Sequence, residues 1–120
     1  MRICDEIDMG RHALLNVYGC REVDRLIALG DYEVFVADLL SACNAEVVDT
    51  LSYRFHPHGV AGFTHLALLT TSHCSIHTWP EHAAAAIDIF TCGEVDVDRI
   101  VAGMIDYFRP SRQNVQSVLR

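Results

Sequence analysis

From Thr71 to Glu81 the chain reads Thr-Ser-His-Cys-Ser-Ile-His-Thr-Trp-Pro-Glu, and from Ile87 to Gly93 it reads Ile-Asp-Ile-Phe-Thr-Cys-Gly. These two stretches gather the Ser72 hydroxyl, the imidazoles of His73 and His77, the thiols of Cys74 and Cys92, the single tryptophan and the Glu81 carboxylate. A hydroxyl with an imidazole nearby can attack a carbonyl, and a thiol can hand a proton to carbon. Filling a core requires none of these groups. The stretch is therefore read as a site, set between two apolar runs, rather than as a core strand.

Composition limits what such a site can serve. At 120 residues, 51% hydrophobic, the chain has room for one core and one domain. Its mean hydropathy is positive, which leaves apolar surface for a subunit interface, most often a two-fold dimer. The net charge of −7 argues against nucleic acid or an anionic membrane as partner, because both require a basic face. Neither a bilayer-spanning run nor a signal segment is visible, so the expected location is cytoplasmic. The five cysteines form no CxxC pair, which suits buried free thiols in a reducing compartment.

The elements that must position the site follow from periodicity. Arg11 to Tyr18, between Gly10 and Gly19, reads as a first strand, and Cys20 to Leu29 as a mixed segment with a short helical turn. Val34, Phe35, Ala37, Leu39, Leu40 and Ala42 predict a helix from an Asp31 N-cap to about Asn44. Glu46–Phe55 and Phe63–Thr70 read as strands, the latter central because it is almost wholly apolar. His56-Pro57-His58-Gly59 reads as a loop. Ile87 to Thr91 pulls the Ala83–Thr91 segment toward strand. Asp96 caps an amphipathic helix running to Phe108, Pro110 stops it, and Asn114–Leu119 closes with a strand. The expected fold is α/β of the α+β kind: a two-layer sandwich in which two helices cover one face of a mainly antiparallel sheet.

Ser72-His73-x-Ser75-Ile76-His77-Thr78-Trp79-Pro80-Glu81 and Asp88-x-Phe90-Thr91-Cys92-Gly93, with Gly10-Arg11-His12 and Gly59-Val60, resemble the processing and active site of the prokaryotic pyruvoyl-dependent S-adenosylmethionine decarboxylases. The resemblance runs from about residue 10 to residue 110. It implies self-cleavage between Thr71 and Ser72 into chains 1–71 and 72–120, with a covalent pyruvoyl group derived from Ser72. It also implies decarboxylation of S-adenosylmethionine for polyamine (spermidine) synthesis by a homodimer of processed chain pairs that share their sites.

The chemistry is consistent with the residues. Decarboxylating an α-amino acid leaves electrons on Cα, and no side chain is an adequate sink for them, whereas a pyruvoyl ketone is. Attack by Ser72 Oγ on the Thr71 carbonyl is nucleophilic catalysis against the chain's own backbone. The resemblance makes His77 the base in processing, Cys92 the proton donor after decarboxylation and Glu81 the ligand of the ribose hydroxyls. Phe55 and Trp79 are candidates to stack on adenine. No metal is called for.

Two features depart from the family pattern. Thr71 stands where the family usually has Glu. The segment from Gly59-Val60 to Ser72 is about three residues longer, so counting forward puts Ala61 at the processing-assisting hydroxyl position, whereas counting back from Ser72 puts Thr64 there. The second count is preferred because loops absorb insertions and strands near chemistry do not. Three other readings compete. They are a family homologue acting on L-ornithine or L-arginine, an unprocessed regulatory paralogue, and a metal site built from His56 and His58 with His73, Cys74 or His77.

Overall fold

The computed structural model describes residues 7–55 and 61–120. In chain order the elements are β1 (Arg11–Tyr18), a 3₁₀ turn (Val23–Leu26), α1 (Leu29–Ala42), β2 (Val47–Arg54), β3 (Phe63–Leu69), β4 (Ser72–Trp79), a 3₁₀ turn (Pro80–His82), β5 (Ala84–Thr91), α2 (Val97–Phe108) and β6 (Arg112–Leu119). The six strands form one sheet in the order β2-β3-β4-β5-β1-β6. Every neighbouring pair is antiparallel.

Alternation decides which side of each strand is buried. Ala13, Leu15 and Val17 of β1, Cys74, Ile76 and Thr78 of β4, and Ala85, Ile87 and Ile89 of β5 point toward the helices and are buried. The helices complete this core with Tyr32, Val36 and Leu40 from α1 and Ile100, Met104 and Phe108 from α2. Asp96 caps α2 as expected, its carboxylate accepting from Arg99 N at 3.1 Å, a contact worth about 1 kcal/mol. Among the described residues the opposite face of the sheet carries no helix and exposes Leu51, Leu66, Leu68 and Trp79. The two-layer sandwich is as expected. Among the described residues no helix is long and apolar enough to cross a membrane.

Three expectations are corrected. The reactive stretch is itself a strand, β4, and with β5 it holds the middle of the sheet, so chemistry and core share one element through alternation. β3 lies one place in from the β2 edge rather than at the centre; Leu66 and Leu68 lie on its open face and do not signal burial on both sides. Helix α1 begins at Leu29 and takes in Gly30, with Asp31 inside its first turn rather than at the cap. Its buried stripe is Tyr32, Val36 and Leu40, while Val34 is 65% exposed. The predicted loop at His56-Pro57-His58-Gly59 lies outside the described residues.

Candidate active site

The start of β4 is set by an unusual turn. Leu69 pairs with Ser72, leaving Thr70 and Thr71 as a two-residue hairpin connection. Such connections favour positive φ at the turn residues, which Gly and Asn supply and β-branched Thr resists. Neither threonine takes a positive φ here. Instead Ser72 carries it, at φ 155°. A non-glycine residue held there costs on the order of 1–3 kcal/mol. The strain falls on the residue whose hydroxyl the sequence singles out.

Neighbouring groups hold this turn. Thr71 Oγ1 lies 2.6 Å from Thr91 Oγ1, and Thr91 is buried at the end of β5. Cys92 follows, half-buried, on the wall of a cavity of about 300 Å³ that Gly10, Arg11 and Gly93 also line. Gly10, at φ 123°, is required by space as well as by backbone. A Cβ there would stand 2.4 Å from the Thr91 carbonyl oxygen and 3.0 Å from Cys92 Cβ. Arg11 is tied down at the rim, donating to Asp98 Oδ1 and to Ser117 Oγ, each at 2.6 Å. The hydrogen bond with Arg11 holds the Asp98 carboxyl below its ordinary range.

The far end of β4 is regular. His77 is flanked by Thr64 of β3 and Ala86 of β5. Thr64 Oγ1 lies 3.0 Å from His77 Nδ1, so the count back from Ser72 finds a hydroxyl in contact with the imidazole. Thr78 turns inward and anchors the strand, accepting from Phe63 N at 2.9 Å and donating to the Leu26 carbonyl at 2.8 Å. Trp79, 41% exposed, has its ring 6.3 Å from that of His77 and borders a cleft of about 250 Å³. Phe55 comes to the same end. A Cβ on Gly62 would fall 2.9 Å from its ring and 2.5 Å from the Thr78 carbonyl oxygen. Glu81 stands exposed on the Pro80–His82 turn.

The predicted site residues thus form two groups. Ser72 and Cys92 belong to one end of β4, and Thr64, His77, Trp79, Phe55 and Glu81 to the other. Ser72 and His77 are five residues apart, about 16 Å along a strand. Within one chain the imidazole does not reach the serine.

Midway lies a pair the sequence reading left without a role. His12 Nε2 is 3.0 Å from Asp88 Oδ1, on the open face of the sheet. Both residues stood inside quoted motifs, and only strand register shows that they meet. Cys74, also midway, faces the core, where burial pushes its thiol up to about 12. Among the described residues no three His, Cys, Asp or Glu side chains converge as metal ligands, and His56 and His58 lie outside them.

Residues 11–120 match the family model described as S-adenosylmethionine decarboxylase. A protein of Thermomicrobium roseum named S-adenosylmethionine decarboxylase proenzyme is 39% identical over 114 residues, covering 93% of each chain. One of the same name from Methanococcus maripaludis is 34% identical over 113 residues, covering 93% of this chain and 89% of its own. The crystal structure of the adenosylmethionine decarboxylase from Aquifex aeolicus superposes with a TM-score of 0.83 at 31% identity, covering 96% of this chain and 92% of that one.

Proposed function

The chain belongs to the S-adenosylmethionine decarboxylase family, and from that membership we propose that it is made as a proenzyme, cuts itself between Thr71 and Ser72, and decarboxylates S-adenosylmethionine with the pyruvoyl group so formed. The role in polyamine synthesis follows from the family, and the expected setting is the cytoplasm. The observation that carries the self-cleavage is the φ of 155° at Ser72, a strained backbone at the peptide bond that has to break.

Processing is written on the chain's own atoms. Ser72 Oγ attacks the Thr71 carbonyl carbon; a C–O ester bond forms as the C–N amide bond breaks, and the hydroxyl proton ends on the freed Ser72 nitrogen. Removal of the Ser72 α-proton expels the Thr71 carboxylate. Water adds to the remaining dehydroalanine, ammonia leaves, and residue 72 becomes pyruvoyl. Once formed, that group supplies the electron sink.

The protein's side chains do the rest. Cys92, on the wall of the cavity beside Gly10, returns a proton to the substrate's Cα. Glu81 holds the ribose hydroxyls. Trp79 and Phe55 offer faces to adenine. Thr64 orients His77 through Nδ1, and in the tautomer in which Nδ1–H donates to the Thr64 hydroxyl, Nε2 is left to take a proton.

The separation of roughly 16 Å between Ser72 and His77 along the strand favours a two-fold dimer in which each chain lends its His77 end to the other's Ser72 end. Two sheets packed through their open faces lie about 10 Å apart, which would cover Leu51, Leu66 and Leu68.

Intact mass of the purified protein tests the cut: two fragments, residues 1–71 and a pyruvoyl-capped 72–120, replacing one 13.4 kDa chain. Ser72→Ala stays folded and whole and releases no carbon dioxide. Parallel assays with S-adenosylmethionine, ornithine and arginine place turnover on the first. A decarboxylating Ser72→Ala chain would end the proposal.

A further inference from the structure

We infer that the hydrogen bond between the Thr71 and Thr91 hydroxyls is a clamp that aims the scissile carbonyl, making Thr91 a positioning residue for self-cleavage. The inference rests on the reading of Ser72 as the processing serine and deepens it.

Thr71 is the residue whose carbonyl is attacked, and it sits in a turn that its own sequence disfavours. The turn could relax by tilting the Thr71 Cα frame, which would carry the carbonyl away from Ser72. The side chain opposes that tilt: an anchored Oγ1 holds χ1 and with it the direction of the Cα–Cβ bond. Its anchor, at 2.6 Å, is the Oγ1 of Thr91, a residue 1% exposed. Thr91 is itself held at the end of β5, paired with Arg11 of β1, and has no room to follow a moving partner. The chain therefore meets the strained φ of Ser72 on one side of the scissile bond and a fixed side chain on the other. Nucleophile and carbonyl stay aligned, the condition under which an intramolecular attack is fastest. The longer Glu of the family pattern cannot make this short hydroxyl contact, so the clamp accompanies the Thr71 departure.

The test follows the cut in full-length chains made by pulsed translation, with intact mass read over time. Thr71→Val and Thr91→Val keep shape and lose the hydroxyl; each should slow cleavage on the order of tenfold, the scale of one oriented hydrogen bond. Thr71→Ser and Thr91→Ser keep the oxygen and should stay within about twofold of the parent. The double valine variant should be no slower than the slower single, because both remove one interaction. Melting midpoints of the valine variants, measured in the uncut Ser72→Ala background, should fall by no more than the few degrees that one lost hydrogen bond costs, with each chain still folded. Valine variants that keep pace with the parent overturn the clamp, as do serine variants as slow as valine or singles whose effects multiply. A parent chain that stays whole sinks the Ser72 reading and the clamp together, whereas a parent that cuts beside valine variants that keep pace sinks the clamp alone.

Discussion

The two ends of β4 are built by opposite means. At Ser72 the strand begins on a turn of two threonines, with a φ of 155°, a side-chain clamp and a glycine that alone fits beside Cys92. At His77 the backbone is ordinary, the ladder is paired on both sides, and Thr78 secures it from beneath. On the proposed reading, one end stores strain at the bond to be cut, and the other holds steady the imidazole that moves a proton. Both sit on a single strand in the middle of the sheet, which is rigid and so keeps them apart.

That separation can be broken by genetics. Ser72→Ala and His77→Ala chains should each remain whole when made alone. Made together, their mixed dimers place an intact His77 beside an intact Ser72 once per pair. Cleavage of the His77→Ala chain should then reappear, in about half of those molecules for random pairing. On an intact-mass spectrum the fragments of that chain appear only in the mixture. If His77→Ala cleaves fully on its own, or stays whole in the mixture, the lending of His77 across the interface is wrong.

Much of this arrangement was legible in residue order. β1 starts and ends where the flanking glycines predict, and α2 begins at its Asp96 cap and stops short of Pro110. Counting back from Ser72 singled out Thr64, but its contact with His77 comes from the β3–β4 register. The character of the reactive stretch was less legible. Its buried face is Cys74, Ile76 and Thr78, too short an apolar signal to outweigh the imidazoles and hydroxyls between them. The pairs His12–Asp88 and Thr71–Thr91 join residues 76 and 20 positions apart, and only strand register brings them together. The distance from Ser72 to His77 was also hidden, since a motif read as one site does not declare that it runs along an extended strand.

The two thiols of the site sharpen the contrast between cavity and core. Cys74 lies on the helix side, where burial pushes its pKa up to about 12, so at pH 8 only about one thiol in 10⁴ is ionised. Cys92 borders a cavity and is half-buried. Iodoacetamide on the native protein should label Cys92 faster than Cys74 by at least about two orders of magnitude, read by peptide mass. The same shift sets a direction for stability. Above pH 9.0 the unfolded chain loses the Cys74 proton while the folded chain keeps it, so stability falls between pH 9.0 and about 12. Cys74→Ala should flatten that part of the urea-midpoint profile. Equal labelling of both thiols would mean that β4 does not hold Cys74 in the core.

The smallest effect asks whether the strain at Ser72 is real, and it can be read with no catalysis at all. Ser72→Ala and Ser72→Gly both lack the nucleophile and both remain whole. Alanine keeps the Cβ that makes φ 155° costly, and glycine removes it. Against that gain stands the greater freedom of glycine in the unfolded chain, about 0.4–1 kcal/mol. Relief of about 1–3 kcal/mol outweighs it, so Ser72→Gly should be the more stable of the two by roughly 1 kcal/mol in urea. At His77, where φ is ordinary, the order should invert: in the Ser72→Ala background, His77→Gly should be less stable than His77→Ala by about 0.5–1 kcal/mol. Sign carries the test rather than size. Opposite signs at the two ends of one strand locate the strain at the bond to be cut, and the same sign at both ends would place the driving force for cleavage elsewhere.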